Sequence, residues 1–129
     1  MSGIVVIEDD ALLRSLLVEW LMSEGYRVDA ADTFEAAMPG AGVAPSEDAK
    51  PRLLIVDVFM PRGRGIERLR SARSAYPGVP IVAISGQFRP GVGATGAAAE
   101  ALSVDRVVAK PFEREAMLDA VRSLIGRPH

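Results

Sequence analysis

Four short stretches of the chain are apolar at consecutive positions and then stop at a polar residue. Ile4-Val5-Val6-Ile7 runs into Glu8, Leu53-Leu54-Ile55-Val56 into Asp57, Ile81-Val82-Ala83-Ile84 into Ser85, and Val107-Val108-Ala109 into Lys110. Runs of this length, bounded by turn residues, read as strands buried on both faces. Tyr26 to Ala31 reads as a weaker strand. Between these runs the apolar spacing changes from continuous to helical. Leu13, Leu16, Leu17, Trp20 and Leu21 form a stripe over 11–24, with Gly25 as the stop, and Thr33 opens a second helix that Pro39-Gly40 ends early. Ile66, Leu69, Arg73 and Tyr76 mark a third helix, closed by Pro77-Gly78. Ala97 to Leu102 reads as a short helix inside a Gly-rich stretch, and Met117, Leu118, Val121, Leu124 and Ile125 mark a final one. The Gly-, Ala- and Pro-rich segment from Pro39 to Pro51 reads as an insertion. Strands alternating with helices predict an α/β fold: one parallel sheet with right-handed crossovers and helices on both faces.

Composition narrows the function classes more than it selects one. A chain of 129 residues has room for one domain, expected over 1–126 with a tail at 127–129. A net charge of −2 gives no reason to expect direct nucleic-acid binding. No apolar stretch approaches the roughly 20 residues of a membrane span, so no membrane insertion is expected. The absence of cysteine removes disulfides and thiolate metal sites and is compatible with a cytoplasmic protein. After Ile125 only Gly126-Arg127-Pro128-His129 remain, too few for an output module, so either a stand-alone domain or a piece of something longer is expected.

The residues that end the strands carry the candidate chemistry. In a parallel sheet, ligands bind in the crevice outside the carboxyl ends of the strands. Glu8-Asp9-Asp10, Asp57, Ser85 and Lys110 would all reach that edge. Each has a plain alternative: Asp10 as a helix N-cap, Asp57 as a turn cap, Lys110 as a solvated lysine, Ser85 as turn chemistry. None of these explains why all of them fall at the ends of separate strands. Adjacent acids repel unless a cation neutralises them, and Mg²⁺ favours one or two carboxylates, waters and a phosphate oxygen. The set reads as a magnesium and phosphoryl site. Gly91-x-Gly93-x-x-Gly96 has dinucleotide-loop spacing, but Pro90 precedes it and no phosphate-cradling context surrounds it. Trp20 is expected in the core, and His129, the lone histidine, is expected to be disordered.

Four ordered motifs, Val6-Ile7-Glu8-Asp9-Asp10, Val56-Asp57-Val58-Phe59-Met60-Pro61, Ile84-Ser85-Gly86 and Lys110-Pro111-Phe112, resemble the receiver domain of two-component response regulators. The resemblance covers Ile4 to Ile125. It implies a doubly wound (βα)₅ flavodoxin-like fold, a five-stranded parallel sheet of order 2-1-3-4-5, as in the chemotaxis receiver that is a general example of this order. It implies that Asp57 accepts a phosphoryl group from a sensor histidine kinase or a histidine phosphotransfer protein. Asp9, Asp57 and the backbone carbonyl of Phe59 would hold Mg²⁺, with Glu8 acting through water. Lys110 would pair with Asp57 and then with the phosphoryl group, and Ser85 would be the switch hydroxyl. The Lys110-Pro111 peptide is expected to be cis. The output would be a downstream protein of undefined identity, from a monomer or a weak dimer.

The chain also departs from that family. Val107 stands three residues before the lysine, where an aromatic switch is frequent, and residues 87–96 are Gly-rich where a regular helix is usual. A change of order in 87–96 on phosphorylation is therefore expected, in place of a ring rotation. Phe59 is bulky and apolar and is expected to hinder water and slow loss of the phosphoryl group. The principal alternative is a degenerate receiver that acts as a protein-interaction module without phosphorylation. An Asp-nucleophile phosphohydrolase is a third reading, against which Phe59 stands where a second Asp would act as acid and base. No turnover enzyme is expected.

Overall fold

The strand Leu53–Asp57 (β3) is buried at every position, so both of its faces must be covered. The computed structural model, which describes residues 3–37, 50–57, 65–85 and 104–127, shows how this is done. Ile4–Ile7 (β1) lies on one side of β3 and Ile81–Ser85 (β4) on the other. Val28–Ala31 (β2) and Arg106–Ala109 (β5) complete the sheet. Among the described residues the order is β2-β1-β3-β4-β5, and every pairing is parallel. The expected order is the observed one.

The sheet divides two apolar layers by the alternation of side chains along each strand. Leu53 and Ile55 face one layer with Val82, Ile84 and Val108, against Ala11–Ser23 (α1) and Arg114–Ile125 (α4). Leu54 and Val56 face the other with Ile7, Ile81, Ala83 and Val107, against Gly65–Ala75 (α3) and the end of Phe34–Ala37 (α2). The helical stripes account for this: Leu17 and Leu21 of α1 and Met117, Leu118 and Val121 of α4 are buried. Each such aliphatic side chain contributes about 1.5–3 kcal/mol of transfer free energy.

The helix ends lie close to where their punctuation predicts. Asp10 caps α1 by accepting from Leu13 N at 3.1 Å, and Gly25, at φ 104°, follows its end. Thr33 Oγ1 accepts from Ala36 N at 3.2 Å at the start of α2. The second strand begins at Val28 rather than Tyr26, because Tyr26 N still donates to Leu21 O of α1. Trp20 is half-buried, not fully enclosed: its ring lies at the edge of the α1–α4 layer beside Phe112. No described helix is long and apolar enough to cross a membrane.

Strand order reverses between β1 and β3, since the chain leaves β1 for β2 on one side and returns to β3 on the other. A crevice opens at such a point beyond the carboxyl ends of the two strands. Glu8 leaves β1 there, and Asp57 ends β3 there.

Candidate metal and phosphoryl site

Because Asp10 serves as the cap of α1, Glu8 and Asp9 occupy the short turn between β1 and that helix. Glu8 is drawn fully inside. Its amide donates to Ala31 O at 3.1 Å, its carbonyl accepts from Arg14 Nη1 at 2.8 Å, and its Oε2 accepts from Asp10 N at 3.1 Å. Among the described residues its Oε1 has no hydrogen-bond partner. Asp9 is exposed. Asp57 is 1% exposed at the end of β3.

Lys110 follows β5 and reaches across β4 to the acids. Its Nζ lies 2.9 Å from Asp57 Oδ2 and 3.7 Å from Glu8 Oε1. Glu8, Asp9 and Asp57 each offer a carboxylate oxygen within 4.8 Å of the others. Four residues from three strand ends, Glu8 and Lys110 being 102 positions apart, thus converge on one crevice.

The electrostatics of this crevice are unbalanced. Burial, and then the facing Asp57 carboxylate, push the Glu8 carboxyl up to about 8. Burial alone would lower the Lys110 ammonium. The hydrogen bond to Asp57 and the charges of Asp57, Glu8 and Asp10 outweigh it and hold that ammonium above its ordinary range. Two buried carboxyl groups therefore face Lys110, and burial, with Asp57 beside it, favours the protonated form of Glu8. An additional cation would remove the need for it. A hard divalent ion such as Mg²⁺ suits this donor set, which is all oxygen, has an exposed member through which waters can be kept, and contains an orphaned oxygen at Glu8.

Ser85 is the last residue of β4 and pairs through its backbone with Ala109, the residue before Lys110, so the strand delivers it to the same edge. The Lys110-Pro111 peptide is cis, as expected. Val107 is buried in the α3-side layer. Phe59, the segment 87–96, the expected helix at 97–102 and His129 lie outside the described residues. Arg14 was not singled out from the sequence. A basic residue one turn into the helix that follows an acidic run was the available signal, because only such a residue can reach back to the Glu8 carbonyl.

Comparison with known proteins shows the family and the fold of the chain. The family model described as the response regulator receiver domain matches residues 4–122. The response regulator protein FleR of Pseudomonas aeruginosa is 36% identical over 130 residues, covering 98% of this chain and 25% of that protein. The chain spans between a quarter and about half the length of the first curated relatives it matches. Among solved structures, the chemotaxis protein CheY4 of Vibrio cholerae superposes with a TM-score of 0.74 at 24% identity, covering 96% of this chain and 98% of that one. The response regulator TrrA of Thermotoga maritima, solved in complex with Mg²⁺–BeF, superposes with a TM-score of 0.72 at 26% identity, covering 96% of this chain and 99% of that one. A match that runs from the first strand into the last helix assigns the chain to a family: it belongs to the response regulator receiver domains.

Proposed function

We propose that this receiver accepts a phosphoryl group on Asp57 in a Mg²⁺-dependent reaction. The donor would be the phosphohistidine of a sensor kinase or phosphotransfer protein. The observation that carries the reading is the Lys110 ammonium 2.9 Å from Asp57 Oδ2, in a crevice where Glu8, Asp9 and Asp57 offer oxygens within 4.8 Å of one another. An Asp57 carboxylate oxygen attacks phosphorus as the bond from phosphorus to the donor nitrogen breaks. The electron pair leaves with the imidazole, whose other ring nitrogen carries a proton, so the leaving group is neutral. Asp9 and Asp57, with Glu8 behind them and the carbonyl of Phe59, would hold Mg²⁺. That ion supplies positive charge where the phosphoryl oxygens gather. Lys110 orients the Asp57 carboxylate before transfer and balances the added negative charge afterwards. Ser85 would give its hydroxyl to a phosphoryl oxygen and so couple the product to the loop beyond β4. The domain is taken to extend over 1–126 and to act in the cytoplasm by protein contact.

Intact mass after incubation with acetyl phosphate or phosphoramidate, with and without Mg²⁺, tests this. The expected result is a Mg²⁺-dependent gain of one phosphoryl group that Asp57→Asn abolishes. No gain with either donor, together with no Mg²⁺ binding by calorimetry, would replace the reading with a phosphorylation-independent interaction module.

A further inference from the structure

Lys110 is carried by the segment between β5 and α4. Glu113, the residue before α4, makes no side-chain capping hydrogen bond. What anchors the segment is α1. The Phe112 ring meets Trp20 edge to face, with centroids 6.3 Å apart and planes at 76°. Beyond Glu113, Arg114 Nη2 donates to Ser23 Oγ at 3.1 Å, and that hydroxyl donates to Trp20 O at 2.8 Å. The last turns of α1 therefore hold the Lys110–Arg114 segment on both sides of Glu113. The first turn of the same helix is fixed beside Glu8 through Asp10 and Arg14. Leu17 and Leu21, both fully buried, fasten the helix to the sheet between those ends.

We propose that Trp20 is a positioning residue for phosphoryl transfer: through Phe112 it sets where the Lys110 ammonium stands relative to Asp57. This rests on the function proposed above. Edge-to-face aromatic pairs have a preferred geometry, so the contact fixes a place and not merely a burial. Phe112 lies two residues after Lys110, and space opened at Trp20 lets that part of the backbone shift. The Lys110 ammonium, now 2.9 Å from Asp57 Oδ2, would then meet that carboxylate at a changed distance and angle.

Phosphorylation by phosphoramidate in excess Mg²⁺ would be followed by intact mass for the wild type, Trp20→Ala, Trp20→Phe, Lys110→Ala and the Trp20→Ala/Lys110→Ala double variant. Trp20→Ala is expected to slow transfer on the order of tenfold, as a misplaced catalytic group does, with Mg²⁺ affinity by calorimetry unchanged. Trp20→Phe recovers most of the rate, and Trp20→Ala adds no further loss once Lys110 is gone. A purely structural role would slow both backgrounds alike. Equal losses in the two backgrounds, or a wild-type rate in Trp20→Ala, overturn the positioning role and leave the proposed function intact; a wild type inert to phosphoramidate and to acetyl phosphate that also binds no Mg²⁺ overturns both. Should Trp20→Ala not fold, Trp20→Leu keeps an apolar side chain, lacks the ring, and is judged by the same criteria.

Discussion

At the amino-terminal rim of the sheet, side-chain polar groups meet partners of matching chemistry. The Tyr26 hydroxyl donates to Gly126 O at 2.6 Å, and Arg52 Nη2 donates to Ile125 O at 3.0 Å. Asp105 accepts from Ile81 N at 2.8 Å and pairs with Arg73 at 3.2 Å. At the carboxyl-terminal rim, Glu8 and Asp57 are both buried around Lys110, and among the described residues Glu8 Oε1 has no hydrogen-bond partner. One rim minimises the cost of burying polar atoms, whereas the other retains that cost where an incoming cation and phosphoryl group would remove it. The sheet thus satisfies its polar groups at one end and gathers buried charge at the other. Consistency with local physical rules fails at the carboxyl rim, where function is expected to require it.

The largest effect that would sharpen this contrast is pH-dependent. The Glu8 carboxyl lies at about 8 in the fold, against an unperturbed value of 4.5. An acid raised on folding favours the folded state while protonated. That contribution is fully present below 4.5 and is lost as pH rises through about 8. In chelator, the unfolding free energy is expected to fall by up to roughly 4 kcal/mol across this window, and Glu8→Gln to flatten the profile. Mg²⁺ should restore more stability at the alkaline end than at the acid end, because it replaces the proton. Urea titrations at several pH values measure all of this, and a flat wild-type profile would erase the distinction between the rims.

A steric test addresses the amino-terminal rim. A Cβ at Gly3 would stand 2.1 Å from the backbone oxygen of Arg27, which also accepts from Ile4 N at 2.8 Å. Neither backbone can give way without disturbing the β1–β2 ladder. Gly3→Ala is expected to cost about 3 kcal/mol of stability, read as a lower urea midpoint at unchanged slope. The smallest test removes one hydroxyl. Tyr26→Phe is expected to cost about 1 kcal/mol, with faster amide exchange confined to the end of α4. A loss of phosphorylation in that variant would instead show that the two rims are coupled.

Much of the carboxyl rim was legible in the sequence because burial and termination are local signals. An unbroken apolar run is a strand covered on both faces, and the polar residue that ends it must lie at a rim. This located Glu8, Asp57, Ser85 and Lys110 before any contact was known. The split of roles within Glu8-Asp9-Asp10 was not legible. The capping requirement of α1 takes Asp10, the turn leaves Asp9 exposed, and Glu8 is buried with an oxygen unpaired among the described residues. The half-burial of Trp20 was likewise hidden, because helical periodicity gives the direction a side chain faces and not the depth of the layer it meets.

The order and spacing of its apolar runs determined by themselves that this chain makes a parallel α/β sheet with acids and a lysine at one edge. Each run reports on its own burial within a few residues, so no distant contact is needed. Tertiary structure alone decided which groups touch. Tyr26 reaches Gly126 over a separation of 100 residues, Lys110 reaches Asp57 over 53, and Trp20 meets the ring of Phe112. Such pairings depend on how layers pack and where each helix stops, which is set by the whole core at once and written in no local stretch of the chain.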